Sequence, residues 1–352
     1  MIKIRDLNFA LAPGFGLSVP RLDIPQGRVF AIIGPNGAGK TTLLNVLALF
    51  QESGAGSLEI MGKDAYDPRN KLFLRRSMSF VFSQPYLLND TVYRNVALPL
   101  KLRGEPDEGR VAEMLELFKI SAFKDRNANT LSQGERHRVT LARAFVTKPG
   151  LVLLDEPFSS LDARIKDTIM HDLRVIFKAA GTTVVLVTQD QGEALTLCDS
   201  MAVMKAGRIL QHGSPQDIFA RPASAEVADF VGVETILPGS VTGKEDNLCS
   251  VSAGGKTLEV IAGCAVGDSV LVCVRPEDVT VSKNPDAGSM RNHFGARIIS
   301  VDPWRLEYKV GLDCGFSLMA AVTKQSVEGM GLKPGMAVFA SFKATAAHLI
   351  KR

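Results

Sequence analysis

A strand, a glycine loop and a helix in immediate succession constrain this chain more than any other feature. Residues 34–42 read Gly34, Pro35, Asn36, Gly37, Ala38, Gly39, Lys40, Thr41 and Thr42, between the apolar run Val29–Ile33 and the helix-like run Leu43–Ala48. Glycines in such a loop let successive backbone N–H groups turn inward around phosphate oxygens, and the helix adds the positive end of its dipole. Lys40 is then placed to reach the β- and γ-phosphates, and the Thr41 hydroxyl to take a position on Mg²⁺. A plain glycine turn ahead of a helix shares part of this pattern. It does not place glycine, lysine and threonine at all these offsets between a strand and a helix. The expectation is an α/β P-loop fold that binds a nucleoside triphosphate.

Two segments further along say what kind of nucleotide chemistry follows. Gly150–Glu156 is an apolar run of the sort a parallel strand buried on both faces requires, and it ends in two carboxylates, Asp155 and Glu156. Asp155 suits Mg²⁺, directly or through water, and Glu156 suits a base that polarises an attacking water. Upstream, Leu131-Ser132-Gln133-Gly134-Glu135 precedes Arg136–Phe145, in which Val139, Leu141, Ala142 and Phe145 recur at roughly helical spacing. Alone, Ser132 with Glu135 three residues on is an ordinary helix cap of the capping-box type. Beside a P-loop, it also offers a second anion site at a helix N-terminus.

In order, the P-loop, Gln84, LSQGE at 131–135, LLDEP at 153–157 and SSLD at 159–162 resemble the nucleotide-binding domain of ATP-binding cassette (ABC) proteins, over roughly the first two-thirds of the chain. The resemblance implies ATP and Mg²⁺ as ligands and a head-to-tail homodimer, with ATP sandwiched between the P-loop of one protomer and the LSQGE of the other. Ser132 and Gly134 would meet the γ-phosphate across that dimer, and Asp162 would connect its two sites. Gln84 matches the glutamine that reaches Mg²⁺ and the attacking water while linking to a membrane partner. From its own surroundings Gln84 reads as a plain polar loop residue, and only its place in the series of motifs lifts it.

Departures from the pattern bear on rate. In Val184–Asp190 the family has histidine where this chain has Gln189, whose neutral amide can also donate to a γ-phosphate but does not titrate. LSQGE differs from the commoner LSGGQ at its third and fifth positions while keeping Ser132 and Gly134. Near the N-terminus the family often stacks an aromatic ring on adenine. Leu11 falls at that place between Phe9 and Phe15, so no adenine platform is expected and the phenylalanines read as core.

The net charge of +4 is too small to point to nucleic acid, and there is no dense Lys/Arg run. Cys198, Cys249, Cys264, Cys273 and Cys314 have no CxxC spacing, so neither a zinc site nor a disulfide framework is expected and the thiols read as reduced. No stretch approaches the roughly 18–20 apolar residues of a membrane span, and Met1–Asp6 lacks a signal-peptide core. Membrane crossing would fall to another chain.

Residues from about 84 to 130 read as a mostly helical insert, with Val111, Met114, Leu115 and Phe118 at helical offsets, and Phe219–Val231 reads as a final helix. The expected division is a nucleotide-binding domain over 1–232 and an all-β, barrel-like domain over 233–352, where short β-rich runs such as Val270–Val274 alternate with Gly, Asn and Asp turns. Val274–Val279 resembles the transport-associated barrel behind importer ATPases. From Ser289 onward the chain looks like the molbindin-type domain of molybdate and tungstate importers. A tetrahedral oxyanion is held by hydroxyls, backbone N–H groups and cations, and Ser289, Arg291, Asn292, Lys343 and Thr345 are the candidate ligands. The same residues fit turns and edges that only pack the barrel and pair it with a second copy.

The resemblance therefore implies the ATPase subunit of an ABC importer for an oxyanion, molybdate or tungstate. Such a subunit sits peripherally on the cytoplasmic face of the cell membrane, against an integral-membrane permease and, indirectly, an extracytoplasmic substrate-binding protein. Alternatives are an importer for a sugar, polyamine or other anion, a soluble ABC ATPase of translation or DNA repair, and, on the strength of Gln189 alone, a non-catalytic partner. The soluble class usually carries tandem cassettes or a long coiled-coil insertion, and neither pattern occurs here.

Overall fold

The computed structural model of the 352-residue chain describes all residues except 13–14, 53–54, 286–288 and 305, and the side chains of 11–15 also lie outside the description. The chain folds as two compact units, Met1–Gln216 and Asp217–Arg352.

The first unit is built on a sheet of ten described strands. Its parallel half runs Met78–Val81, Leu151–Asp155, Thr183–Thr188, Val29–Ile33 and Ser200–Lys205 in that spatial order. Beyond Ser200–Lys205 lie Arg208–Gly213, Phe15–Ile24, Ile2–Ala12, Ala55–Ile60 and Lys63–Asp64. Consecutive residues of a strand face opposite ways, so each strand feeds two cores. Val152, Leu154, Val184 and Leu186 pack with the helices Gln133–Phe145 and Ala163–Ala180. Leu151, Leu153, Val185 and Val187 pack on the other face with the helix Lys40–Leu47 and the N-terminal strands. Burial on both faces is why these strands are apolar throughout and end abruptly in polar residues.

The helical insert contains Val92–Arg103, begun by a Thr91 cap and ended by left-handed Gly104, and Glu108–Leu117. Val111, Met114, Leu115 and Phe118 are buried as their spacing predicted. The expected final helix is corrected. It is two short helices, Pro215–Ala220 and Ala225–Phe230, because Pro222 lacks the N–H that a continuous helix needs and keeps Arg221 from helical backbone. The segment after Gln216 packs with the second unit, so the division falls upstream of the 232/233 boundary read from composition. Arg275 donates there to the carbonyls of Phe219 and Val231.

The second unit has two five-stranded antiparallel sheets among the described residues. Asn292–Trp304 alternates buried and exposed residues from Asn292 to Ile299, and its inward Phe294 and Ile298 join Val251, Leu258, Val272, Leu318 and Phe342 in a single core. Ala347–Lys351 closes one sheet by pairing with Ser269–Val274. One expectation about cysteine is corrected here: Cys249 and Cys264 pair sulfur to sulfur inside this core, a meeting decided by the strand fold rather than by any sequence spacing. Cys198, Cys273 and Cys314 are free. No helix among the described residues is long and apolar enough to cross a membrane.

Candidate active site

Three parallel strands, Val29–Ile33, Leu151–Asp155 and Thr183–Thr188, pair side by side in register, so the segments after their carboxyl ends emerge together. In open α/β sheets this edge is where ligands bind. It brings together the glycine loop, Asp155 with Glu156, and Gln189.

Gly37 and Gly39 take left-handed backbone (φ +75° and +96°), which turns the loop's amides inward. Gly34 is fixed by proximity, since a Cβ there would lie 2.1 Å from the Met204 carbonyl oxygen. The helix Lys40–Leu47 starts after Gly39 without a side-chain cap, leaving its first N–H groups to a ligand. Asn36, Gly37, Ala38, Gly39, Lys40, Thr41, Thr42 and Glu156 line a cavity of about 370 Å³.

Lys40 is 5% exposed and donates to the carbonyls of Gly34 and Pro35 at 2.9 and 3.0 Å. Its Nζ stands 3.9 Å from Glu156 Oε1. Burial lowers its pKa, opposed by the charges of Glu156 and Asp155. Thr41 Oγ1 donates to Asp155 Oδ1 at 3.0 Å. Burial raises the Asp155 pKa, the Thr41 bond opposes the rise and the Glu156 charge adds to it. Glu156 sits at φ +43° and its N–H donates to the Val187 carbonyl, so the catalytic candidate is held on the neighbouring strand end. One carboxylate and one hydroxyl in contact are the protein donors Mg²⁺ uses when phosphate oxygens and water supply the rest of its octahedron, and the set fits that ion.

The remaining candidates stand around this centre rather than in it. Gln84 is exposed in the loop after Met78–Val81 and lines, with Leu131, Gln133, Arg136 and Ser160, a second cavity of about 530 Å³. Ser132 caps Gln133–Phe145 in a complete capping box: Glu135 accepts from Ser132 N at 2.7 Å and from its hydroxyl at 2.8 Å. Gly134 allows close helix packing, since a Cβ would meet Ile165 Cγ2 at 2.8 Å. Asp162 caps Ala163–Ala180, accepting from Ile165 N at 3.0 Å. Gln189 is exposed just past the strand Thr183–Thr188. Phe9 packs against the core, while the side chains of Leu11 and Phe15 lie outside the described residues.

Two supports of the site carry no motif. Lys166 Nζ bridges Asp190 at 2.5 Å and Glu193 at 2.6 Å, tying the segment after Gln189 to the helix after Asp162. Burial alone would lower the Lys166 pKa, and the two carboxylates override it, leaving it raised. Burial raises that of Glu193. His137, 2% exposed, meets Ser160 Oγ at 3.1 Å. Only the Asp190-to-Glu193 capping interval hinted at either group in the sequence.

In the second unit, Asn292 pairs with Phe342 in register, which brings Arg291 and Lys343 to the same sheet end. Asn292 is buried and uses both amide atoms on the Glu259 backbone, accepting its N–H at 2.8 Å and donating to its carbonyl at 2.9 Å. Arg291 pairs with the Glu259 carboxylate at 3.1 Å. Ser289, Lys343 and Thr345 are exposed. Asn292 therefore serves as a strand cross-link, and Glu259 is an anion already resident beside Arg291.

The fold and this phosphate cradle define a P-loop ATPase. Residues 17–159 match the ABC transporter family and residues 288–349 the TOBE domain. The molybdate/tungstate import ATP-binding protein WtpC of Pyrococcus horikoshii is 36% identical over 354 residues, covering 99% of this chain and 95% of that protein. The spermidine/putrescine import ATP-binding protein PotA of Trichormus variabilis is 39% identical over 289 residues, 80% of this chain and 75% of that protein. Among solved structures, cbiO1 from Clostridium perfringens, part of the ABC transporter complex cbiONQ, matches with a TM-score of 0.59 and 30% identity over 66% of this chain and 94% of that one. The ATP-binding cassette MJ0796, a dimer in a post-hydrolysis state with ADP and Pi, matches with a TM-score of 0.54 and 27% identity over 61% and 99%. The chain belongs to the ABC transporter family and is an ATPase subunit of its importer class.

Proposed function

We propose that this chain hydrolyses ATP as a head-to-tail homodimer and energises uptake of an oxyanion of the molybdate or tungstate kind. The observation that carries the catalytic part is the convergence of Lys40, Thr41, Asp155 and Glu156 on one glycine-lined cavity. Lys40 and the loop amides hold the β- and γ-phosphates, while Thr41 and Asp155 would hold Mg²⁺, which would supply charge neutralisation. Glu156 takes the proton of the attacking water as its oxygen bonds the γ-phosphorus and the β–γ bridge bond breaks. Gln84 orients that water and Gln189 donates its amide to the γ-phosphate. Ser132 and Gly134 of the second copy close the site, with Asp162 linking the two, and opening after hydrolysis moves a membrane-embedded permease docked near Gln84. The nucleotide-binding part is assigned to 1–232, although its last stretch, from Asp217, packs with the second compact unit, and the transport-associated part to 233–352. The subunit lies peripherally at the cytoplasmic face, with a substrate-binding protein on the far side.

The oxyanion assignment is supported by coverage. The molybdate/tungstate relative aligns through 99% of the chain, including the second unit, whereas the polyamine relative reaches 80%. Arg291 and Lys343 at one sheet end suit a dianion, because charge-assisted bonds are about twice as strong as neutral ones. The polyamine reading is favoured by its 39% identity. Calorimetry of the full chain with sodium molybdate or tungstate tests the second unit: heat is expected, lost in the Arg291→Ala/Lys343→Ala double variant and increased by Glu259→Gln. Uptake tests the cargo. Cells lacking the chain should lose molybdate uptake and retain spermidine uptake, and the converse would install the polyamine reading.

A further inference from the structure

The loop that follows Glu156 is gripped at several points. The carbonyl oxygen of Glu156 accepts two hydrogen bonds, from Ser159 N at 3.2 Å and from Ser159 Oγ at 3.0 Å. The next residue, Ser160, meets the imidazole Nε2 of His137 at 3.1 Å. Asp162 then caps the following helix through Ile165, whose side chain packs against Gly134. Gly134 and His137 are three residues apart and share one face of the helix Gln133–Phe145. One helix face thus clasps the loop on either side of Asp162: His137 at Ser160 before it, Gly134 at Ile165 after it.

We propose that His137 is a positioning residue that couples the Ser132–Gly134 segment to Glu156 and Asp162 through its bond to Ser160. The inference rests on the dimeric reading given above, in which Ser132 and Gly134 serve the ATP held by the other copy while Glu156 serves the ATP of its own. A shift of the helix Gln133–Phe145 on meeting the second copy's γ-phosphate moves His137, and with it Ser160, Ser159 and the carbonyl of Glu156. His137 is buried and lines neither the glycine-loop cavity nor the cavity beside Gln84. Burial and the Arg136 charge push its pKa down to about 4, so the ring is neutral at neutral pH and holds Ser160 by one bond in either tautomer. Ser160 is itself an exposed residue and lines the cavity beside Gln84.

The test uses the full chain and measures ATP turnover, nucleotide affinity and the dependence of rate on ATP concentration for Ser160→Ala, His137→Leu, His137→Gln and the His137→Leu/Ser160→Ala double variant. Ser160 is exposed, so Ser160→Ala tests the bond without risk to the core. The expected result is a kcat about three- to tenfold lower for Ser160→Ala and His137→Leu, the scale of one hydrogen bond. Nucleotide Kd should stay within about twofold, the cooperativity of the rate in ATP should fall, and the double variant should lose no more than either single one. His137→Gln, which keeps a polar atom toward Ser160, should recover most of the rate. Additive losses, or a Ser160→Ala rate and cooperativity equal to the native chain's, would overturn the inference while leaving the dimeric reading intact. Native hydrolysis without any ATP-dependent dimer would overturn both.

Discussion

Lys40→Met removes the buried cation that lines the phosphate cavity and keeps a side chain of similar length. In the free protein the ammonium is 5% exposed, bonds two loop carbonyls and stands 3.9 Å from Glu156. An incoming triphosphate finds that charge already desolvated and aimed. Removing one member of a buried, hydrogen-bonded charge pair costs about 2–5 kcal/mol. At about 1.4 kcal/mol per tenfold, ATP affinity should fall by about 30- to 4,000-fold. The pH dependence follows from the direction of the shift. Burial lowers the Lys40 pKa below its ordinary value of 10.5, so the charge is full below the lowered value and is lost as pH rises through it. ATP affinity of the native chain should therefore decline before the pH reaches the ordinary lysine range, and binding in that window should take up a proton. Lys40→Arg keeps its charge and should lack the step. Titration calorimetry in buffers of different ionisation enthalpy reads both effects. Unchanged affinity in Lys40→Met, or a native affinity flat to about pH 10, the ordinary lysine range, with no proton uptake, would refute the role given to Lys40.

Lys166→Met should lower the melting temperature of the first unit. It leaves Glu193, 3% exposed, without its cation. Losing a buried partner costs about 3–5 kcal/mol, or about 6–20 °C at 2–4 °C per kcal/mol for a unit of this size. Burial raises the Glu193 pKa, so the stranded carboxyl is tolerated when protonated and the deficit should shrink as pH falls; a pH-independent deficit, by calorimetric scanning, contradicts this. Gln189→Ala should slow ATP hydrolysis about 10²-fold, the lower end of what a transition-state donor supplies, whereas Gln189→His should match or exceed the native rate. Native-like turnover in Gln189→Ala would make the residue a bystander.

The P-loop and the Asp155–Glu156 pair could be read from residues alone because phosphate chemistry fixes both residue type and spacing, and the strands that carry them are apolar throughout. The helix over Glu108–Leu117 was readable for a related reason, since its buried face repeats every third or fourth residue. Meetings between distant segments were not. Lys166 with Glu193 and His137 with Ser160 involve ordinary residue types whose approach depends on how two helices pack. Cys249 and Cys264 meet for the same kind of reason, because Cys264 lies just past the strand Lys256–Ile261 that pairs with the strand carrying Cys249. At Asn292 the residue type fitted an anion site, but the partner that takes its amide, Glu259, lies on a strand no motif connects to it. The break in 219–231 has a cause written in the sequence, since Pro222 lacks the N–H a continuous helix needs.

The most direct measurement is the mass of the full-length Glu156→Gln variant by light scattering, with and without Mg²⁺-ATP, alongside its turnover. With the base removed, hydrolysis should fall about 10²–10⁴-fold, and ATP should shift the particle from 37.9 kDa to twice that mass. The dimer should revert when Lys40→Met is added. A variant that hydrolyses ATP at the native rate, or that binds ATP and remains a single chain, would contradict the account.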